Sequence, residues 1–226
     1  MAIKTVTKTL NAATNAPRIY FKTSQPMMEI ILKIMPFNSL DDAAQWCAFG
    51  LNLAYVVLAG RGSAWCWLFG FGGTIFQFIV CVDANLKSDA ALQVYYSLSA
   101  IYGWFSWRQR NTEGGQLLGI STLPVASHLK IAGLATTAAI LLGFYWQNAA
   151  FRFEDAALAV FSIAATLLTA RKILENWLYW LVIDASYALI YADRDKYLLA
   201  ILSVVYFIFS IRGFFRWQQL MRFVKV

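Results

Sequence analysis

Seven apolar stretches set off by short polar connections constrain this chain more than any other feature. Each is roughly 17–21 residues long, about what a helix needs to cross ~30 Å of hydrocarbon. They run approximately Ala43–Ala59, Ala64–Val82, Ala90–Trp107, Ser127–Trp146, Asp155–Ala170, Asn176–Tyr191 and Tyr197–Trp217, and none contains a proline. Hydrocarbon offers no partner to a backbone N–H or C=O, so stretches of this length close their hydrogen bonds internally, as helices. The expected fold class is an all-α integral membrane protein with seven transmembrane helices. Composition points the same way: 60% of the 226 residues are hydrophobic and 14% are charged, whereas a soluble domain carries about 25% charged residues on its wet surface.

The net charge of +7 does not imply nucleic acid, because the basic residues sit between apolar runs and form no continuous basic face. Cys47, Cys66 and Cys81 lie in or beside apolar runs without metal-ligand spacing, and His128 has no partner pattern. The cysteines read as small packing residues and His128 as a loop or helix-end residue, and no cofactor is called for. Residues 1–42 differ in kind, with five basic residues and three of the four prolines. No apolar core of signal-peptide length follows the early lysines, so a cleaved leader is not expected. Met27–Met35 is expected to lie on the membrane as a short amphipathic helix.

The first three stretches align without a gap on the last three at a shift of about 110 residues. Matched pairs include Ala54/Ala164, Arg61/Arg171, Trp67/Trp177, Asp83/Asp193, Tyr96/Tyr206, Gly103/Gly213, Trp107/Trp217 and Gln109/Gln219. A three-span unit ends on the opposite side from its start, so two units joined directly would be inverted. Ser127–Trp146 supplies the extra crossing that makes them parallel, a 3+1+3 scheme of the SWEET type. The expected organisation is a tail (1–42), a first repeat (43–107), a loop and linker helix (108–146), a second repeat (147–219) and a short tail (220–226). Lys and Arg concentrate on the C-terminal side of the spans, in Arg61, Arg108, Arg110, Lys130, Arg171, Lys172, Arg212, Arg216, Arg222 and Lys225. The positive-inside rule places the C-terminus in the cytoplasm and the N-terminus outside, although the basic N-terminal tail opposes this.

Polar residues inside a span are costly and face a bundle interior or a wet cavity. In the sixth stretch Asn176, Trp180, Asp184, Tyr187 and Tyr191 follow spacings of 4, 4, 3 and 4 and share one helical face. Asp184 is the only carboxylate well inside any stretch, and it needs a donor or a polar ligand. Gln77 matches Tyr187 in the repeat, and Asn52 in the first stretch joins the candidate set. Aromatic faces bind a flat ring or a cation, while Asn, Gln and Asp bind an amide or ribose hydroxyls. The bland alternative is that Trp180 and Tyr187 pack and Asp184 ties two helices together.

Arg171-Lys-x-x-Glu-Asn-Trp-x-x-Trp180-x-x-x-Asp184, Ile101-Tyr-Gly-Trp-x-x-Trp107 and Gly213-x-x-x-Trp217 resemble the PnuC vitamin transporters, over roughly Asp42 to Gln219. The resemblance implies a 3+1+3 bundle in the bacterial inner membrane. It implies uptake of nicotinamide riboside by facilitated diffusion and trapping by a cytoplasmic riboside kinase. Homo-oligomerisation is left open. The absence of prolines from the spans departs from SWEET sugar transporters, whose helices bend at prolines.

Other classes fit less well. A retinal protein needs a lysine deep in its last span, and Tyr197–Ile211 has none. A membrane enzyme needs grouped nucleophile, base or metal residues. A channel needs rings of charge or filter carbonyls. A transporter of the same fold for thiamine or a sugar remains the serious alternative.

Overall fold

A computed structural model describes residues 40–83, 87–112, 119–145, 152–194 and 197–224. They form seven α-helices: α1 (Leu40–Gly60), α2 (Cys66–Asp83), α3 (Lys87–Thr112), α4 (Val125–Tyr145), α5 (Arg152–Ala170), α6 (Asn176–Asp193) and α7 (Tyr197–Val224). Each coincides with one of the seven apolar stretches. The largest differences are at the ends of α3 and α7: α3 continues past Trp107 as polar helix, and α7 continues past Trp217 with Leu220 and Met221 packed against the core. The expected amphipathic helix at Met27–Met35 lies outside the described residues.

By length and composition, α1, α2, α4, α5 and α7 are apolar enough to cross a membrane. The other two are more polar, with Tyr95, Tyr96, Ser97 and Ser99 on α3 and Asn176, Asp184 and Tyr187 on α6. The packing explains how they are accommodated. Contacts join α1 to α2, α2 to α3, α3 to α5, α5 to α6, α6 to α7 and α7 back to α1, a closed ring of six helices. In that order α1 stands opposite α5, α2 opposite α6 and α3 opposite α7. A ring gives polar residues an inner side away from lipid.

Outside the ring, α4 packs along α5. Its Leu129, Leu134, Leu141, Phe144 and Tyr145 are exposed, as are Val182 and Leu189 on α6. Apolar side chains turned outward in this way suit lipid as the solvent. The first turn of α4 is tied to α6, where His128 Nδ1 lies 3.1 Å from the Tyr179 hydroxyl and Nε2 lies 3.9 Å from the Glu175 carboxylate.

The α1–α2 and α5–α6 turns have the same backbone. Gly62 and Lys172 both adopt positive φ, 73° and 54°. Gly62 N–H donates to Ala59 O and Ser63 N–H to Leu58 O, at 2.9 and 3.1 Å. Lys172 N–H donates to Thr169 O and Ile173 N–H to Leu168 O, at 2.9 and 3.0 Å. Both are helix ends closed by a left-handed residue. Glycine takes that conformation freely, whereas a residue with a Cβ loses roughly 1–2 kcal/mol. Lys172 is fully buried, with its ammonium over the Trp107 ring at 4.7 Å. The chain before α4 is pinned to this second turn: Ser121 N–H donates to Lys172 O at 3.0 Å, and Leu174 N–H to Ser121 O at 2.8 Å.

Candidate functional site

At the turn end of the ring, four tryptophans fill the interior. Trp67 meets Trp107 edge-on at 5.5 Å, Trp107 meets Trp217 at 5.8 Å, and Trp177 meets Trp217 edge-on at 5.4 Å. All four are buried. Glycines make room for two of them. A Cβ on Gly103 would fall 2.2 Å from the Trp67 ring, and one on Gly213 would fall 2.6 Å from the Trp177 ring. The cluster also joins the two sides of the ring. Trp107 Nε1–H donates to Ala170 O at 3.1 Å, and Trp217 Nε1–H donates to Ala59 O at 3.0 Å.

Next to this plug lies a polar layer. Asn176, the first residue of α6, is fully buried. Its amide donates to Ile173 O, and its Oδ1 lies 3.0 Å from the Thr169 hydroxyl. The same hydroxyl accepts the indole N–H of Trp180 at 3.1 Å. Asn176 and Trp180 are therefore brought together through Thr169 on α5. This arrangement takes up the Asn176 carbonyl and amide inside the protein.

Asp184, 5% exposed, accepts a hydrogen bond from Ser210 on α7 at 3.0 Å. Its counterpart in the repeat, Thr74, lies 2.8 Å from the Ser97 hydroxyl on α3. Tyr187 stacks on Tyr191 at 5.3 Å and packs against the cluster formed by Leu158, Ala165 and Ile183. Gln77 is half-buried on α2. Asn52 is half-buried on α1, with its side chain against the bare backbone of Gly73. The predicted face of α6 thus divides between two neighbours, Asn176 and Trp180 toward α5 and Asp184 toward α7. Gln77 and Asn52 stand on the opposite side of the ring.

Three tyrosines were not among the predicted site residues. Tyr55 on α1 neighbours Tyr96 on α3 and Tyr206 on α7. Tyr206 in turn neighbours Asp184, and Tyr96 lies beside Ser162 on α5. Phenols from three helices therefore come near one another, near Ser162 of α5 and near Asp184 of α6. The Tyr96/Tyr206 pairing in the repeat was the one signal of this cluster in the sequence.

A ring interior with indole and phenol faces, a carboxylate and amides is suited to hold a small polar aromatic molecule. A profile of the nicotinamide mononucleotide transporter family matches residues 42–219. The chain belongs to that family. It is a multi-pass membrane transporter and not an enzyme. It is 25% identical over 166 residues to the nicotinamide riboside transporter PnuC of Escherichia coli, covering 62% of this chain and 70% of that one. The Haemophilus influenzae PnuC is 23% identical over 201 residues, covering 85% and 87%. The riboflavin/roseoflavin transporter RibM of Streptomyces davaonensis is 27% identical over 139 residues, covering 59% and 65%. Among solved structures, the crystal structure of the vitamin B3 transporter PnuC superposes with a TM-score of 0.68 at 19% identity, covering 87% of each chain. The resemblance read from Asn176–Asp184 and the tryptophan helix ends led to the right family, and the all-helical fold follows it.

Proposed function

We propose that this protein carries nicotinamide riboside across the bacterial inner membrane as a facilitator, by alternating access and without ion coupling. The observation that carries the reading is the lining of the six-helix ring. Trp180, Tyr55, Tyr96 and Tyr206 offer aromatic faces and hydroxyls at the depth where Asp184, Gln77 and Asn52 offer polar partners. A pyridinium ring suits the aromatic faces, and ribose hydroxyls and the carboxamide suit the polar partners. The two PnuC relatives are named for this substrate.

The matched turns, the glycine–tryptophan pairs and the opposite placement of α1/α5, α2/α6 and α3/α7 support two parallel three-helix repeats, residues 43–107 and 147–219, joined by α4. Rocking of one repeat against the other would open the tryptophan plug on one side. Uptake through a facilitator beyond the external concentration then requires trapping, and a cytoplasmic kinase acting on the riboside hydroxyl supplies it. The C-terminus is cytoplasmic in this reading and the N-terminus periplasmic.

RibM favours a second reading, a larger flat-ring vitamin on the same fold; thiamine belongs to the same class. Calorimetric titration of the purified protein with nicotinamide riboside, nicotinamide, thiamine, riboflavin and glucose separates the readings. The riboside should bind more tightly than the others. Binding of riboflavin or thiamine with no heat from the riboside would overturn the assignment.

A further inference from the structure

The two halves differ at one pair of contacts in a compensated way. With the shift of about 110 residues, Tyr55 on α1 matches Ala165 on α5, and Gly70 on α2 matches Trp180 on α6. In the second half the large ring comes from the second helix: Trp180 packs against the cluster of Leu158, Ala165 and Ile183. In the first half it comes from the first helix: Tyr55 occupies the space over Gly70. A Cβ on Gly70 would fall 2.9 Å from Tyr55 Cδ2 and 3.4 Å from Cε2. Each seam therefore holds one aromatic ring and one small residue, exchanged between its helices.

The α1–α2 and α5–α6 seams are diametrically opposed in the ring of helices. The two rings stand one step above the tryptophan plug. Tyr55 meets Trp67 edge-on at 5.7 Å, and Trp180 is one turn beyond the buried Asn176. Both are only partly buried, unlike the tryptophans below them. The Tyr55 phenol lies within electrostatic range of those of Tyr96 on α3 and Tyr206 on α7.

We propose that Tyr55 is the aromatic wall opposite Trp180 and contacts the flat ring of the substrate, and that Gly70 is the positioning residue that admits it. Because a tyrosine faces a tryptophan, the cleft lacks the two-fold symmetry of its scaffold. A ligand with one flat end and one hydroxylated end is held in a single orientation. This inference rests on the proposed function for the ligand, and its test separates the two.

Full-length protein in detergent is titrated calorimetrically with nicotinamide riboside, and thermal unfolding of each variant is recorded beside it. Tyr55→Ala should weaken binding about tenfold or more, the scale of a lost base–aromatic stack. Tyr55→Leu keeps apolar bulk at the α1–α2 seam and serves if the alanine variant does not fold; it should weaken binding similarly. Tyr55→Phe should stay within about threefold, since the face is retained. Gly70→Ala should weaken binding in the parent and change little in the Tyr55→Leu background, because its effect passes through the tyrosine ring. Trp65→Ala, on an exposed side chain, is the control. If Tyr55→Leu binds like the parent while Trp180→Ala is weakened, the opposite wall is elsewhere and the inference falls, with the riboside assignment intact. If the parent binds riboflavin or thiamine instead, the assignment falls and the same series on that ligand decides the wall. If the parent binds none of the three, both fall.

Discussion

The indole N–H of Trp107 donates to the carbonyl oxygen of Ala170, 3.1 Å away, tying the end of α3 to the last residue of α5. Trp217 does the same for α7 and α1 through Ala59 O, at 3.0 Å. These two bonds bridge the two halves of the ring at the plugged end, where α3 meets α5 and α7 meets α1. Trp107→Phe keeps most of the ring and removes the donor. It should lower stability by about 0.5–1.5 kcal/mol, the worth of one hydrogen bond, because Ala170 O keeps the Ser106 hydroxyl at 3.3 Å and Ala59 O keeps the Gly62 N–H at 2.9 Å. Trp217→Phe should act alike. The two rings touch, so the double variant should deviate from the sum of the singles. Thermal unfolding in detergent measures all three. Additivity would show that the bonds are energetically separate.

Glycine substitutions should divide by sign. Alanine at Gly103 or Gly213 drives a methyl into Trp67 or Trp177, and overpacking of that kind costs about 1–3 kcal/mol. Alanine at Gly133 on α4 meets nothing within 4 Å, so it should be neutral or stabilise by roughly 0.5–1 kcal/mol through helix propensity. Melting temperatures of the three variants check this. A loss at Gly133 equal to that at Gly103 would mean that space around the tryptophans is not what the two glycines provide.

The seven helices were legible because hydrophobic length is a one-dimensional property, and lipid leaves a chain of this composition few other folds. The family was legible because Asn176, Trp180 and Asp184 are rare types in an apolar background. The inner face was only half legible. Periodicity put Asn176 and Trp180 on one side of α6, but it carries no information on what α5 presents to them. Thr169 and the buried Ile173 carbonyl engage Asn176, which was read as reaching for substrate. Tyr55 is not legible as a site residue because one aromatic in an apolar run reads as packing, and its place depends on Gly70 of another helix. The polar layer of α3 and α6 also explains why hydropathy ranks those two helices below the others.

Orientation is tested by reporters. An alkaline phosphatase or fluorescent fusion at the C-terminus should behave as cytoplasmic, and a fusion in the α2–α3 connection should behave as periplasmic. The expectation rests on the basic residues at the plugged end and beyond, among them Arg61, Arg108, Arg171 and Arg216. The opposite pattern in both fusions would reverse the topology and make the tryptophan plug periplasmic.

Asp184 decides the question of coupling. Intramembrane carboxylates that relay protons come in chains with other ionisable groups. Among the described residues Asp184 is hydrogen-bonded to the Ser210 hydroxyl and lies near the Tyr206 phenol, neither of them a carboxylate or a histidine. Asp184 serves in this reading as an acceptor, for Ser210 between α6 and α7 and for a substrate hydroxyl, and not as a proton relay. Asp184→Asn keeps an acceptor for Ser210 and should preserve uptake into proteoliposomes within about threefold, whereas Asp184→Leu leaves the buried hydroxyl without a partner and should cost about 1–3 kcal/mol of stability. In the parent, internal riboside should approach the external concentration and stop there, with or without a proton or sodium gradient. The assay is labelled-substrate uptake with the gradient imposed and then collapsed by ionophore. Accumulation above the external concentration that disappears both with the ionophore and in Asp184→Asn would make the aspartate a coupling residue, and the facilitator reading would have to be abandoned.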